Sequence, residues 1–328
     1  MGNVINLIGG SKPTQEKTVT AGTSATAVTP DSGKVLSKVT VNPTPSQEKT
    51  VNPTGLKQTI LPDEGKLLSK VTINGFDPTV VTWAGGSDEK IVTMVQMADK
   101  GIINLADYWA VGDTRTVQLS AMSATGVGES HDAQSVELVL MHAGGYDLNS
   151  AVASGRTKCS FVVGMKDCLV TGGYMNPTAT AIGSWAGCAR RTWCNNVFKN
   201  AIPSTLFPIF KQFKTITAET YNGTTLETSI DWFALPAAKE IFGGTATSAG
   251  GGTFKSNLAE FNALFQFDWY KTAANKDKKK GAAGSYVEWW ERSPKYDDTA
   301  RFCFVYPGGY GNASPAKYAY GLSPFGCI

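Results

Sequence analysis

The chain has 328 residues, 42% of them hydrophobic and 17% charged, which suits a folded protein with room for two or more domains and excludes intrinsic disorder. Its formal net charge of +3 arises entirely in residues 1–76, where eight Lys face five Asp and Glu. Residues 77–328 balance, so the larger part lacks the basic field that neutralises phosphates, and a nucleic-acid partner is set aside.

The opening, MGNVINLIGG, has no positive segment ahead of its short apolar run, and Asn6 stands where a myristoylation signal needs Ser or Thr. No apolar stretch approaches the ~20 residues that span a bilayer. A soluble product made in the cytoplasm is expected, without membrane insertion. Residues 1–12 read as an anchoring arm.

Residues 13–76 repeat with a period of 32. Gln15–Asn42 aligns without a gap on Gln47–Asn74, and fifteen of the twenty-eight positions are identical, so each repeat should fold alike. Each ends in a strand signature, with Val35, Ser37, Val39 and Val41 on one face, preceded by a PDSG or PDEG turn. A unit this small cannot bury its own core and needs a neighbour, which suits docking or oligomerisation. The repeated pattern, Pro13 to Asn74, resembles segments of tail and fibre proteins of bacteriophages.

Residues 77–95 read as a linker and the start of a helix, with Ser87 as cap, Asp88 and Glu89 in the first turn, and Gly101 as the stop. Strands are expected in YWAVGDTRTVQLS, SVELVLMHAG and TKCSFVVGMKDCL. A longer helix is expected from Ser184 to Pro203, then a short helix in STLFPIFKQF, a strand in LETSIDWFAL and a helical turn in PAAKEIFG.

From about Val95 onward the order of segments resembles an uncharacterised domain family of phages and prophages. The residues that carry this are Tyr108–Leu119, Ala201–Thr217, Trp232–Gly243, the WWERSP of Trp289–Pro294 and the ending GLSPFGCI. The family forms W-W-L-R-S-P and G-V-R-P-x-F-C-I are departed from at Glu291, in place of Leu, and at Leu322-Ser323. The resemblance implies a C-type-lectin-like fold, the scaffold of retroelement-diversified phage adhesins. The fold class is thus α+β: two small β repeat units followed by a lectin-like receptor-binding domain over residues 96–328.

In such a fold Trp289, Trp290, Phe302, Phe304 and Phe325 would pin the core, each burying ~150–250 Å². The exposed face would be Lys295–Asp298 and Tyr306–Tyr320, rich in the Tyr, Ser, Gly and Asn of adaptable binding surfaces. Tyr296, Asp297, Asp298, Tyr306, Tyr310, Asn312, Tyr318 and Tyr320 are the candidate ligand-binding residues.

Catalytic chemistry is not indicated, and neither an enzyme nor a cofactor is expected. His131 and His142 have no acidic or Cys partner at ligand spacing and read as structural; no metal ligand set is recognised. The pairs Asp297-Asp298 and Asp88-Glu89 read as solvated charge, and NKDKKKG as a solvated loop, with attraction of an anionic surface polymer as its alternative. The six cysteines read mainly as small buried thiols; Cys303 and Cys327 lie in apolar runs, which leaves a disulfide between them open.

The leading expectation is a virion structural adhesin, a tail fibre, tail tip or head fibre. Its partners would be other copies of itself, as a trimer, phage tail or capsid proteins through residues 1–76, and a bacterial surface glycan or protein. A capsid decoration or tail protein without a receptor is the alternative, and a polysaccharide-degrading spike the third.

Overall fold

The computed structural model describes residues 81–328 other than 220, 221, 245, 248–252 and 255, together with the backbone of six strands that precede them. The chain divides into two compact units, Met1–Thr82 with Thr93–Tyr108, and Trp83–Val92 with Trp109–Ile328. Helices and several small sheets, most of them antiparallel, make the fold mixed α+β.

The first unit holds β1 (Ile5–Ile8), β2 (Thr14–Thr20), β3 (Val35–Asn42), β4 (Ser46–Val51), β5 (Lys57–Ile60) and β6 (Leu67–Ile73). Four of them form a sheet in the order β2-β3-β6-β4. Within the first repeat β2 runs parallel to β3, Thr14 opposite Val35, with a register shift between Gln15 and Glu16. Within the second, β4 runs parallel to β6, Ser46 opposite Leu67, with the same shift between Gln47 and Glu48. Each of these positions differs from its counterpart by the 32-residue period. The repeats meet where β3 and β6 pair antiparallel through Val39 and Val71, themselves one period apart, so the sheet has a local two-fold at that pair. The expected anchoring arm contributes β1, which pairs antiparallel with β5, Ile5 opposite Ile60. The PDSG and PDEG turns and the side-chain faces of the repeat strands lie outside the described residues.

The helix Asp88–Asp99 begins where the sequence places it, with the Ser87 carbonyl accepting from Ile91 N–H at 3.0 Å. It closes through the Ile102 N–H on the Met97 carbonyl and the Gly101 N–H on the Ala98 carbonyl, both at 2.9 Å. Ile91, Met94, Val95, Met97 and Ala98 are buried.

The second unit is built around two sheets. In the first, β7 (Thr114–Leu119), β8 (Gln134–Ala143) and β9 (Phe161–Met165) form an antiparallel run. Two short ribbons follow in sequence, β10 (Phe213–Ala218) with β11 (Leu226–Asp231), and β12 (Ala246–Thr247) with β13 (Thr253–Phe254). A third pairs β14 (Lys278–Lys279) with β15 (Tyr286–Val287). The second sheet is β16 (Trp289–Pro294), β17 (Arg301–Tyr306) and β18 (Tyr310–Pro315) in that order. The last strand, β19 (Phe325–Cys327), returns to the first sheet beside β9, Phe325 opposite Gly164. There is no space for a side chain at Gly164, where a Cβ would lie 2.6 Å from the Met141 sulfur.

Phe325 sits among Tyr146, Phe213 and Phe267, with ring centroids 5.6, 5.4 and 5.3 Å away. Trp289, Trp290, Phe302 and Phe304 are likewise buried, as the sequence led one to expect of all five pins. Charge and hydrogen bonding shape this core as much as apolar volume does. Trp290 pairs with Phe304, but the next pair is Pro294 with Phe302, so the Glu291-Arg292-Ser293 stretch bulges out of the ladder into the interior.

The long helix differs from the sequence reading. It starts at Ala189 rather than Ser184, runs to Ala201, and is π-helical over Cys194–Phe198. Ser184 has a positive φ of 48°, which breaks any helix there. The Ala189 N–H is capped by the Asn176 side-chain oxygen at 2.8 Å, a partner from another segment that no local signal announces.

Candidate functional site

The sheet β16-β17-β18 separates the candidate residues into two groups. Tyr306 and Tyr310 are register partners at one end, both exposed. Tyr296, Asp297 and Asp298 lie in the β16–β17 turn and Tyr318 follows β18, at the other end. Strands of six residues hold the groups apart by about 17 Å. The exposed residues of the expected face therefore lie in two patches, one at each end of the sheet.

At the hairpin end the backbone is fixed. The tip is Pro307-Gly308-Gly309, and the Gly309 N–H donates to the Tyr306 carbonyl at 3.0 Å. Gly308 and Gly309 have φ of 94° and 75°, and a Cβ on Gly308 would lie 2.7 Å from the Tyr310 ring, so both need glycine. The Gly308 N–H also donates to Asp277 Oδ1 at 2.6 Å, which ties the tip to the preceding segment. Gly309 lies against the Lys276 side chain. From the same segment β14 and β15 lead into β16 and place Tyr286 at this end, 56% exposed, with Lys279 Nζ 5.7 Å from its ring centroid. Tyr286 is not among the candidates drawn from the sequence; its place in the Tyr-rich C-terminal segment was the available signal.

Behind the hairpin, two candidates turn out to be part of the packing. Tyr320 stacks on Phe304 at 4.7 Å, lies 4.8 Å from Trp290, and its hydroxyl is 3.0 Å from Ser314 Oγ. Asn312 is half-buried opposite Phe304, and its Oδ1 accepts the Ala313 N–H at 2.8 Å.

At the turn end the charges pair with one another. Lys295 Nζ is 2.7 Å from Asp297 Oδ1, and Arg301 Nε is 3.3 Å from Asp298 Oδ2. Asp298 also accepts the Ala300 N–H at 2.8 Å.

The bulge in β16 feeds a buried polar cluster. Arg292 donates to both oxygens of Glu240, at 2.7 and 2.6 Å, and to the Leu235 carbonyl at 2.9 Å. The Tyr146 hydroxyl donates to Glu240, which also accepts the Ala237 N–H at 2.8 Å. Ser293 donates to Glu260 at 2.6 Å, and Glu260 accepts the Ala218 N–H at 3.1 Å. Burial raises the Glu260 carboxyl to about 7, with Arg292 and the two hydrogen bonds opposing. Glu291 is fully buried, and neither of its oxygens has a hydrogen-bond partner among the described residues. Burial first, then Glu260 and Glu240, push its carboxyl well above the ordinary range, so it is held as the neutral acid. This cluster has no exposed member and reads as architecture.

The remaining sequence candidates resolve as follows. His131 is buried beside Trp193, and burial with the nearby Arg190 lowers it to about 4. His142, which has no acidic partner at ligand spacing in the sequence, meets one through the fold: its Nδ1 is 2.8 Å from Asp268 Oδ2, and Phe265 packs on its ring at 4.9 Å. Lys271, and then His142, hold the Asp268 carboxyl below its usual range. The solvated loop expected at NKDKKKG holds a fully buried lysine. Lys278 Nζ donates to the Met165 and Lys166 carbonyls at 2.7 and 2.8 Å and lies 5.2 Å from the Trp289 ring. All six cysteines are free and buried; Cys303 is in β17 and Cys327 in β19, in different sheets. Among the described residues no group of three or more His, Cys, Asp or Glu could hold a metal ion, and no helix is long and apolar enough to cross a membrane.

No curated protein and no solved structure matches the chain. Residues 165–328, half of the chain, match a family described as a domain of unknown function (DUF6273). That segment takes in the long helix, the β10–β11 ribbon, the buried cluster from Glu240 to Ser293 and the whole of the β16-β17-β18 sheet. By this match the chain belongs to the DUF6273 family.

Proposed function

We propose that this chain is a bacteriophage virion adhesin: a tail fibre, tail tip or head fibre protein whose C-terminal unit, a C-type-lectin-like domain, attaches the particle to the host surface. The observation that carries the reading is the hairpin tip, where Tyr306 and Tyr310 stand exposed on a backbone fixed by Asp277 and backed by buried aromatic rings. Rigid, exposed tyrosines contribute contact area at little cost in side-chain entropy. Burial of a few such rings typically supplies most of an interface's energy. The phage-type repeats support a virion setting, and residues 1–76 are assigned to contacts with tail or capsid proteins and with other copies, as a trimer. A weak single site then suffices, because several copies engage together. The test is to locate the protein on purified particles and to compete their adsorption with purified chain. Presence on the particle and competition are expected; a protein absent from particles sinks the virion role.

A further inference from the structure

We propose that the hairpin end of the β16-β17-β18 sheet binds an acidic polysaccharide, a chain of pyranose rings carrying carboxylates, whereas the turn end does not. The inference rests on the adhesin reading for its biological setting and on the following observations for its chemistry. Three exposed tyrosines, Tyr286, Tyr306 and Tyr310, share this end. A flat aromatic ring fits the C–H face of a pyranose, and its hydroxyl rim serves the sugar hydroxyls.

The charges differ between the ends. At the turn end Lys295 and Arg301 are in ion pairs with Asp297 and Asp298, which leaves Lys317, exposed beside Tyr318, as the lysine there outside an ion pair among the described residues. At the hairpin end Lys276, Lys279 and Lys280 enter no ion pair among the described residues. Lys279 lies over the Tyr286 ring and Lys276 reaches the Phe242 ring at 5.5 Å, while Lys280 is exposed. Two acids lie beside this end, and each is engaged by a backbone N–H: Asp277 by that of Gly308 at 2.6 Å and Asp167 by that of Lys279 at 2.9 Å. A carboxylate on an incoming chain completes these lysines, and the tyrosines require that the chain contain sugar rings. A polyol phosphate offers the charge without the rings, and a neutral glucan the rings without the charge.

The full chain is assayed by biolayer interferometry on immobilised polygalacturonate, polyglycerol phosphate and dextran. Binding to polygalacturonate is expected to exceed that to either other polymer at least about tenfold, and to weaken several-fold between 50 and 200 mM NaCl. Lys279→Ser with Lys280→Ser should weaken it about fivefold or more, and Tyr306→Ser with Tyr310→Ser about tenfold or more. Tyr296→Ser with Tyr318→Ser, at the turn end, should leave it unchanged. Unchanged thermal unfolding identifies variants that are folded, and the lysine pair and the tyrosine pair test the surface independently. The proposal is overturned by equal binding to dextran, by preference for the polyol phosphate, by no binding to polygalacturonate, or by loss only in the turn-end variant. Particle adsorption separates the two readings. Adsorption blocked by the purified chain, without polygalacturonate binding, overturns this site assignment and leaves the adhesin. Polygalacturonate binding by a chain absent from particles supports the site and overturns the adhesin.

Discussion

Arg292 and Glu240 form a two-pronged ion pair inside the second unit, at 2.7 and 2.6 Å, with no exposure of either side chain. It joins the bulge of β16 to the helix Ala238–Phe242, and Tyr146 adds a third member from the loop after β8. Removing one partner leaves a buried charge without its counterpart, which costs about 3–5 kcal/mol. Arg292→Met and Glu240→Gln should each lower the unfolding free energy measured in urea by that amount. The double variant should cost less than the sum of the two, because the pair is coupled.

Glu260 makes part of the stability depend on pH. Its folded value is raised from 4.5 to about 7, so the folded state keeps a proton that the unfolded state has released between those limits. Stability from this group is therefore fully present below pH 4.5 and lost as pH rises to about 7, by about 3 kcal/mol. His131 acts in the opposite direction: lowered from 6.5 to about 4, it adds stability as pH rises through that window. Urea unfolding of wild type and Glu260→Gln at pH 4.5 and 7.5 separates them. Wild type should lose ground to the variant on going to pH 7.5; a constant difference would contradict the assignment.

Glu291 is a buried acid whose oxygens have no hydrogen-bond partner among the described residues, at the position where the resembled motif has Leu. Burying an unpaired polar group costs about 1–3 kcal/mol. Glu291→Leu should therefore stabilise the protein by about that amount, and more at pH 8 than at pH 5, because the wild-type acid is held neutral against rising pH. A variant less stable than wild type at both pH values would show that the carboxyl has a partner after all.

Three neighbouring lysines should behave in two ways. Lys278→Ser opens a void and leaves the Met165 and Lys166 carbonyls without their donor, for a loss of about 2–4 kcal/mol. Lys279→Ser and Lys280→Ser should each stay within about 0.5 kcal/mol of wild type. Chemical unfolding of the three single variants checks this.

Parts of this structure were legible in the sequence for physical reasons. A gapless repeat imposes equal local structure on both copies, and WW, FCF and PFG announce strands that need burial. Chain-local caps were also readable, as at Ser87. What escaped was whatever depends on distant partners: the Asn176 cap that moves a helix start to Ala189, Asp268 beside His142, and the carbonyls that draw Lys278 out of a lysine run. The candidate site shows the same limit. Tyr296 and Tyr306 are ten residues apart, but a six-residue strand carries them to opposite ends of a sheet.

The pairing of Val39 with Val71 means that each 32-residue unit already has its mate in the same chain. Two separate chains carrying one unit each could build the same four strands only as a symmetric dimer, and only while concentrated enough to meet. Joined through residues 43–45, the units see one another at an effective concentration in the millimolar range at any dilution. The duplication thus turns an association into a fold, and the four-stranded sheet should persist in a single molecule with no other copy present.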